Sequence, residues 1–213
     1  IMAGFVPQLV QGLILYPPIA AWDFVCTATG YAIVLFPLLG TAVLKPKVFK
    51  TYSSIFNFLQ AYPLGKRVFS SMAGFAAPYS ASVSPYVESF KTDECIASIQ
   101  DRPWLRNPFS SIHAIALANL GEFTSGLAVF SMIQTMGNVR GIPVAVKMEY
   151  KKKSRGKITC VASVGKLMKE LESLKESKQM EFASTLYNSK KEVVAVFIAT
   201  WKFGLKPEKK KSK

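Results

Sequence analysis

Asn107, His113 and Glu122 are the residues of this chain best suited to do chemistry. His113 is the only histidine in 213 residues. All three lie in an apolar run from Asn107 to Val139 whose single formal charge is Glu122. Polar groups are costly in a buried apolar segment unless they are paired. A carboxylate in such a setting has a raised pKa and serves as a base or a nucleophile. Backbone N–H groups at a helix start, here near His113 and Ala114, can hold an oxyanion. The Asn107 amide can orient a carbonyl or a water. The set suits attack on an activated carbonyl, of which a thioester is one. Spacing alone equally allows a structural reading, with His113 as a helix cap and Glu122 bonded to a neighbour.

Nine residues separate His113 from Glu122. On one helix that is a rotation of about 900° and a rise of about 13.5 Å, so the two side chains point to opposite sides. They share a site only if one comes from a second copy or from a partner of the same shape. Two such helices packed antiparallel about a twofold axis would pair His113 of one with Glu122 of the other, twice. Shared chemistry therefore implies a dimer.

The surrounding pattern shows what must position these residues. A helix is expected from about Ser111 to Thr135, stopped by Gly137 and Asn138. Before it come two strand candidates, Ser82–Phe90 and Cys95–Gln100, and two helical stretches, Val48–Ala61 and Lys66–Phe75. After it, Val144, Val146, Met148 and Tyr150 alternate with polar or small residues, which predicts a strand with one buried face. Ile158–Val164, Met180–Leu186 and Val193–Phe203 read as further strands, with a helix over Lys166–Ser177. A long apolar helix amid antiparallel strands predicts an α+β fold, a curled sheet wrapped around a central helix. A second membrane span is the alternative for Ser111–Val139, but its polar residues would be costly in lipid.

Ahead of this domain the chain is strongly apolar. Phe24–Leu44 carries no charge and is long enough to cross a hydrocarbon core, with Lys45, Lys47 and Lys50 just behind it. Residues 1–45 are thus expected to be a transmembrane anchor, 46–78 a helical linker, 79–207 the folded domain and 208–213 a basic tail. Formal net charge is +14. The excess gathers at Lys151–Lys157 and in the tail, which read first as a solvated hairpin tip and a disordered tail; anionic lipid beside an anchor would also attract both. Nucleic acid is the less favoured partner, because no recognisable module accompanies the lysines. Three scattered cysteines and one histidine build no zinc site, so no metal is expected. Strong basicity and a first residue other than Met fit a mitochondrial inner membrane. The ending Lys210-Lys211-Ser212-Lys213 instead resembles an endoplasmic-reticulum retrieval signal.

The string from Arg102 to Ala128, RPWLRNPFSSIHAIALANLGEFTSGLA, resembles the hotdog-fold thioesterases of the phenylacetate-pathway type. It looks closer still to a branch of that superfamily known as a domain of unknown function. Tyr150–Gly156 and Val193–Trp201 are similar to that branch too. The resemblance implies a thioester hydrolase of fatty acyl-CoA, with no further cofactor. In it, Asn107 would position the water or the substrate carbonyl and His113 would assist at the thioester. The N–H of Ala114 would form the oxyanion hole, and Glu122 of the opposing subunit would be the base or nucleophile. Lys151, Lys152 and Arg155 would meet the CoA phosphates. The family's His-Gly-Gly is His113-Ala114-Ile115 here, and Gly141-Ile142-Pro143 lacks the hydroxyl often found after the helix. Those departures fit a second expectation, an accessory subunit of a large membrane complex that keeps the fold without the chemistry.

Overall fold

The computed structural model describes residues 51–207. The anchor expected over residues 1–45 and the basic tail lie outside these residues. Three short helices come first: α1 (Tyr52–Leu59), α2 (Gly65–Ala76) and α3 (Pro78–Ala81). Strands β1 (Tyr86–Phe90) and β2 (Glu94–Ile99) follow, then a 3-10 turn at Pro103–Leu105 and the long helix α4 (Ala114–Met136). The chain ends with β3 (Val139–Tyr150), β4 (Ile158–Ser163), α5 (Gly165–Leu171), β5 (Lys178–Tyr187) and β6 (Val193–Leu205).

The six strands form one antiparallel sheet in the order β1-β2-β4-β5-β6-β3. Period-two patterning sets its inner face. On β6, Ala195, Phe197, Ala199, Trp201 and Phe203 are all buried. α4 lies against that face and packs on β2, β3, β4, β5 and β6. Small residues let it approach closely: a Cβ added at Gly121 would come within 2.5 Å of the Phe197 ring. The buried Thr124 hydroxyl is satisfied within the helix, donating to the Leu120 carbonyl at 2.7 Å. By length and composition α4 could span a membrane, yet most of it is buried in the protein. The membrane-span alternative for this segment is thereby replaced by a core helix.

Two other expectations change. Residues 46–78 were expected as a linker, but Phe56, Leu59, Val68 and Phe69 belong to the core. Phe56 and Phe69 meet edge to face at 5.2 Å, and both approach Phe90 of β1. The helix expected over Lys166–Ser177 ends at Leu171, because the chain must turn back to start β5 at Lys178.

β3 also departs from its pattern. Its alternation predicts one buried face, but Val144 and Val146 are 43% and 60% exposed, and Ile142 is 61% exposed. β3 is an edge strand, paired to β6 on one side only. The sheet curls around α4 and leaves these side chains outside the core. Pro143 sits at a bulge in this strand, where a missing N–H is tolerated.

Candidate functional site

His113 caps α4. Its Nδ1 accepts a hydrogen bond from the Ile115 N–H at 3.1 Å, and its backbone is extended where the helix begins. This is the structural role weighed above, and it occupies one ring nitrogen. Nε2 stays on the exposed side chain and can donate. The Ala114 N–H, one of the unpaired donors of the first helical turn, has no acceptor among the described bonds. It lies at the positive end of a 23-residue helix, where an anion is favoured.

Asn107 organises the loop that leads to His113. Its Oδ1 accepts from the Phe109 N–H at 3.0 Å and from the Ser111 N–H and Oγ at 3.2 Å. That oxygen is spent on the loop. The role expected for Asn107 therefore narrows to what Nδ2 can do, which is donate to a carbonyl. The same loop is tied to the basic segment, because the Ile112 N–H donates to the Ser154 carbonyl at 2.9 Å.

Within that segment the charges divide. Lys151 pairs with Glu149 at 2.8 Å, Lys152 with Glu192 at 2.8 Å and Lys157 with Glu88 at 2.6 Å. Lys153 and Arg155 make no ion pair among the described residues. Of the phosphate contacts expected at Lys151, Lys152 and Arg155, only Arg155 is unpaired, and Lys153 joins it. The pairs at Lys151 and Lys152 are solvent-exposed and worth little, so a phosphate can displace them.

Glu122 stands on the face of α4 that the sheet does not cover, with exposed Ile115 and Phe130 on the same helix. Burial pushes its carboxyl above the usual carboxylate range, and a hydrogen bond from Ser80 pulls it partly back. The side chain as a whole is exposed while its carboxyl is partly buried. Ser80 Oγ donates to Glu122 Oε2 at 3.4 Å. One turn earlier, Asn119 Nδ2 donates to the Tyr79 carbonyl at 3.4 Å. Sequence reading missed Ser80, whose segment carries no motif. It noted Asn119 only as costly in lipid; the signal available was its place three residues before Glu122.

Within one chain His113 and Glu122 are not joined, and no described bond links them. Asn107, His113 and Ala114 gather at one end of α4, and Glu122 stands midway along its open face. Within one chain the two groups stand apart: hydrogen-bond donors at the start of α4, and a carboxyl midway along it. Among the described residues no group of histidine, cysteine and acidic side chains could hold a metal.

A family model described as a domain of unknown function, DUF4442, matches residues 65–202. The fold is similar to that of a structural-genomics protein, APC5556, with a TM-score of 0.59 and 22% identity over 73% of this chain and 99% of that one. It is similar to PA5026 of Pseudomonas aeruginosa, a protein of unknown function, at TM-score 0.59, 15% identity, 64% of this chain and 93% of that one. A thioesterase of the same organism, PA1618, matches at TM-score 0.52 and 14% identity, over 64% of this chain and 94% of that one. No curated protein matches the chain.

Proposed function

Since the chain belongs to the DUF4442 family, within the hotdog-fold thioesterase-like superfamily, we propose that it binds long-chain acyl-CoA and hydrolyses the thioester. The observation that carries this reading is Glu122, the single formal charge on α4, which accepts from Ser80 Oγ at 3.4 Å and whose carboxyl is raised by burial above the usual carboxylate range. A base with a raised pKa works nearer neutral pH.

The working unit is a homodimer. Exposed Ile142, Val144 and Val146 on the β3 edge and exposed Ile115 and Phe130 on α4 form the surface a second copy would cover. A twofold axis there sets each Glu122 against the half-site at the start of the other α4. The substrate carbonyl oxygen takes the Ala114 N–H, with Asn107 Nδ2 and His113 Nε2 as further donors. The acyl chain lies along the apolar helix face. The CoA phosphates meet Lys153 and Arg155. Glu122 takes a proton from water as the water oxygen bonds to the carbonyl carbon. The C–S bond then breaks, and the departing sulfur receives that proton as a thiol.

An anchor over Phe24–Leu44 would hold this domain at a membrane where such substrates concentrate, with a mitochondrial inner membrane the proposed site and the endoplasmic reticulum the alternative. A second reading, an accessory subunit without turnover, draws on one observation: His113 Nδ1 and Asn107 Oδ1 are both engaged locally. Full-length protein incubated with palmitoyl-CoA and a thiol-reactive chromophore decides between them. Release of free thiol that Glu122→Gln abolishes supports hydrolysis. Silence from the wild-type protein supports the accessory role.

A further inference from the structure

The chain enters and leaves the described fold at one place. The Tyr52 N–H, at the start of α1, donates to Gln134 Oε1 at 2.9 Å. Beyond β6, the Lys206 N–H donates to the Asn138 carbonyl at 2.8 Å, and Lys206 Nζ donates to the Gly137 carbonyl at 2.7 Å. Gln134 is in the last turn of α4, and Gly137 and Asn138 follow it directly. Tyr52 and Lys206 therefore share one corner of the fold.

That corner gathers charge that the sequence holds apart. Lys45, Lys47 and Lys50 lead into Thr51, and Lys206 leads into Lys209, Lys210, Lys211 and Lys213. Glu208 is the one acid in these two stretches. A fully extended chain gains at most about 3.6 Å per residue, so every one of these lysines stays within about 25 Å of its tether. The cluster at Lys151–Lys157 is elsewhere. Ser154 is held to Ile112, just ahead of α4, and the 23 residues of α4 put about 34 Å between its two ends.

The same corner is open and apolar. Thr135 and Asn138, beside the two tethers, line a cavity of about 320 Å³ whose other walls include Met136, Met168, Leu171 and Leu205. Glu172 is the single charge among its lining residues. Leu205, next to the Lys206 tether, is 41% exposed. Lysines alone attract any polyanion. An apolar opening among them suits a partner that carries both phosphate and hydrocarbon.

We propose that the C-terminal end of α4 rests on an anionic phospholipid surface. Headgroup phosphates meet the two lysine stretches, and the apolar opening takes part of an acyl chain. Lys153 and Arg155, at the other end of α4, stay clear of the lipid. This contact needs neither thioester turnover nor a transmembrane anchor, so it stands or falls apart from both.

Hydrogen exchange on the full-length protein tests it, with vesicles of phosphatidylcholine alone or of phosphatidylcholine and phosphatidylserine in equal parts. On the mixed vesicles, residues 134–140 and 168–175 should exchange at least about threefold more slowly than on phosphatidylcholine, with residues 150–157 unchanged. Salt at about 0.5 M should remove the difference. Replacing Lys209, Lys210 and Lys211 together by Glu should remove most of it, with an unaltered melting temperature. Should those substitutions disturb folding, the salt and vesicle comparisons on the wild type decide. Equal exchange on the two vesicles overturns the proposal, and so does equal slowing at residues 150–157. A difference that persists in salt also overturns it, as does slowing produced by duplex DNA or RNA but not by the mixed vesicles.

Discussion

The Ile112 N–H donates to the Ser154 carbonyl at 2.9 Å and fixes the basic loop beside the segment that ends in His113. Ser154 is buried, so this contact is part of the fold, while Lys153 and Arg155 on either side of it reach solvent. The arrangement places Lys153 and Arg155, which make no ion pair among the described residues, next to the segment that leads into α4.

Reversing that charge should therefore weaken substrate binding and spare chemistry. Lys153→Glu with Arg155→Glu is expected to raise KM for palmitoyl-CoA by about tenfold, with kcat nearly unchanged. The KM of wild type should rise with salt and that of the double variant should rise less. Steady-state kinetics at two ionic strengths checks both.

Glu122 has consequences for pH. Its folded pKa is raised above the ordinary value of 4.5. The folded state then binds more protons than the unfolded state between the ordinary and the raised value. Stability is therefore greatest below the ordinary value and falls as pH rises through the folded one. Glu122→Gln should melt slightly higher than wild type at pH 7 and no higher at pH 4. The gain is small, because Glu122 faces solvent in the single chain. Hydrolysis should show the opposite trend, rising with pH through a value above 4.5, since the base must be ionised. Thermal melts and a pH–rate profile test the two halves separately.

The β3 edge should govern assembly. Val146 is 60% exposed on the edge strand that the proposed dimer would cover. Val146→Lys puts a charge on that surface without touching the core, so the chain should stay folded and become monomeric. Sedimentation shows the mass and circular dichroism the fold. Because a monomer has only half-sites, thiol release should fall with the loss of dimer.

Packing makes a simpler prediction at Gly121. A methyl group there meets the Phe197 ring from β6 at 2.5 Å, and a ring held in a sheet has little room to move. Gly121→Ala should cost about 1–3 kcal/mol, read from urea unfolding.

Much of this was legible in the residues. The central helix announced itself by its apolar run and its Gly137 stop, and the structure ends α4 at Met136. β4, β5 and β6 followed period two to within a few residues. The opposition of His113 and Glu122 came from helix geometry alone. What was hidden depended on long-range contact. Alternation on β3 gives the period of a strand and not what covers its faces, so an exposed edge strand reads like a buried one. Phe56 and Phe69 joined the core because Phe90, far along the chain, completes their cluster. Ser80 reaches Glu122 across 42 residues, and nothing local marks it. The ion pairs that occupy Lys151 and Lys152 use Glu149 and Glu192, the latter 40 residues from Lys152.

The central claim is that one site is built from two chains. Co-expression of Glu122→Gln with His113→Ala tests it most directly, since each mutant alone should release no thiol from palmitoyl-CoA. In a twofold dimer with shared sites, the mixed dimer carries one doubly damaged site and one intact site. Random assembly should then restore about a quarter of wild-type activity. A co-expressed sample as silent as either parent would contradict the shared site.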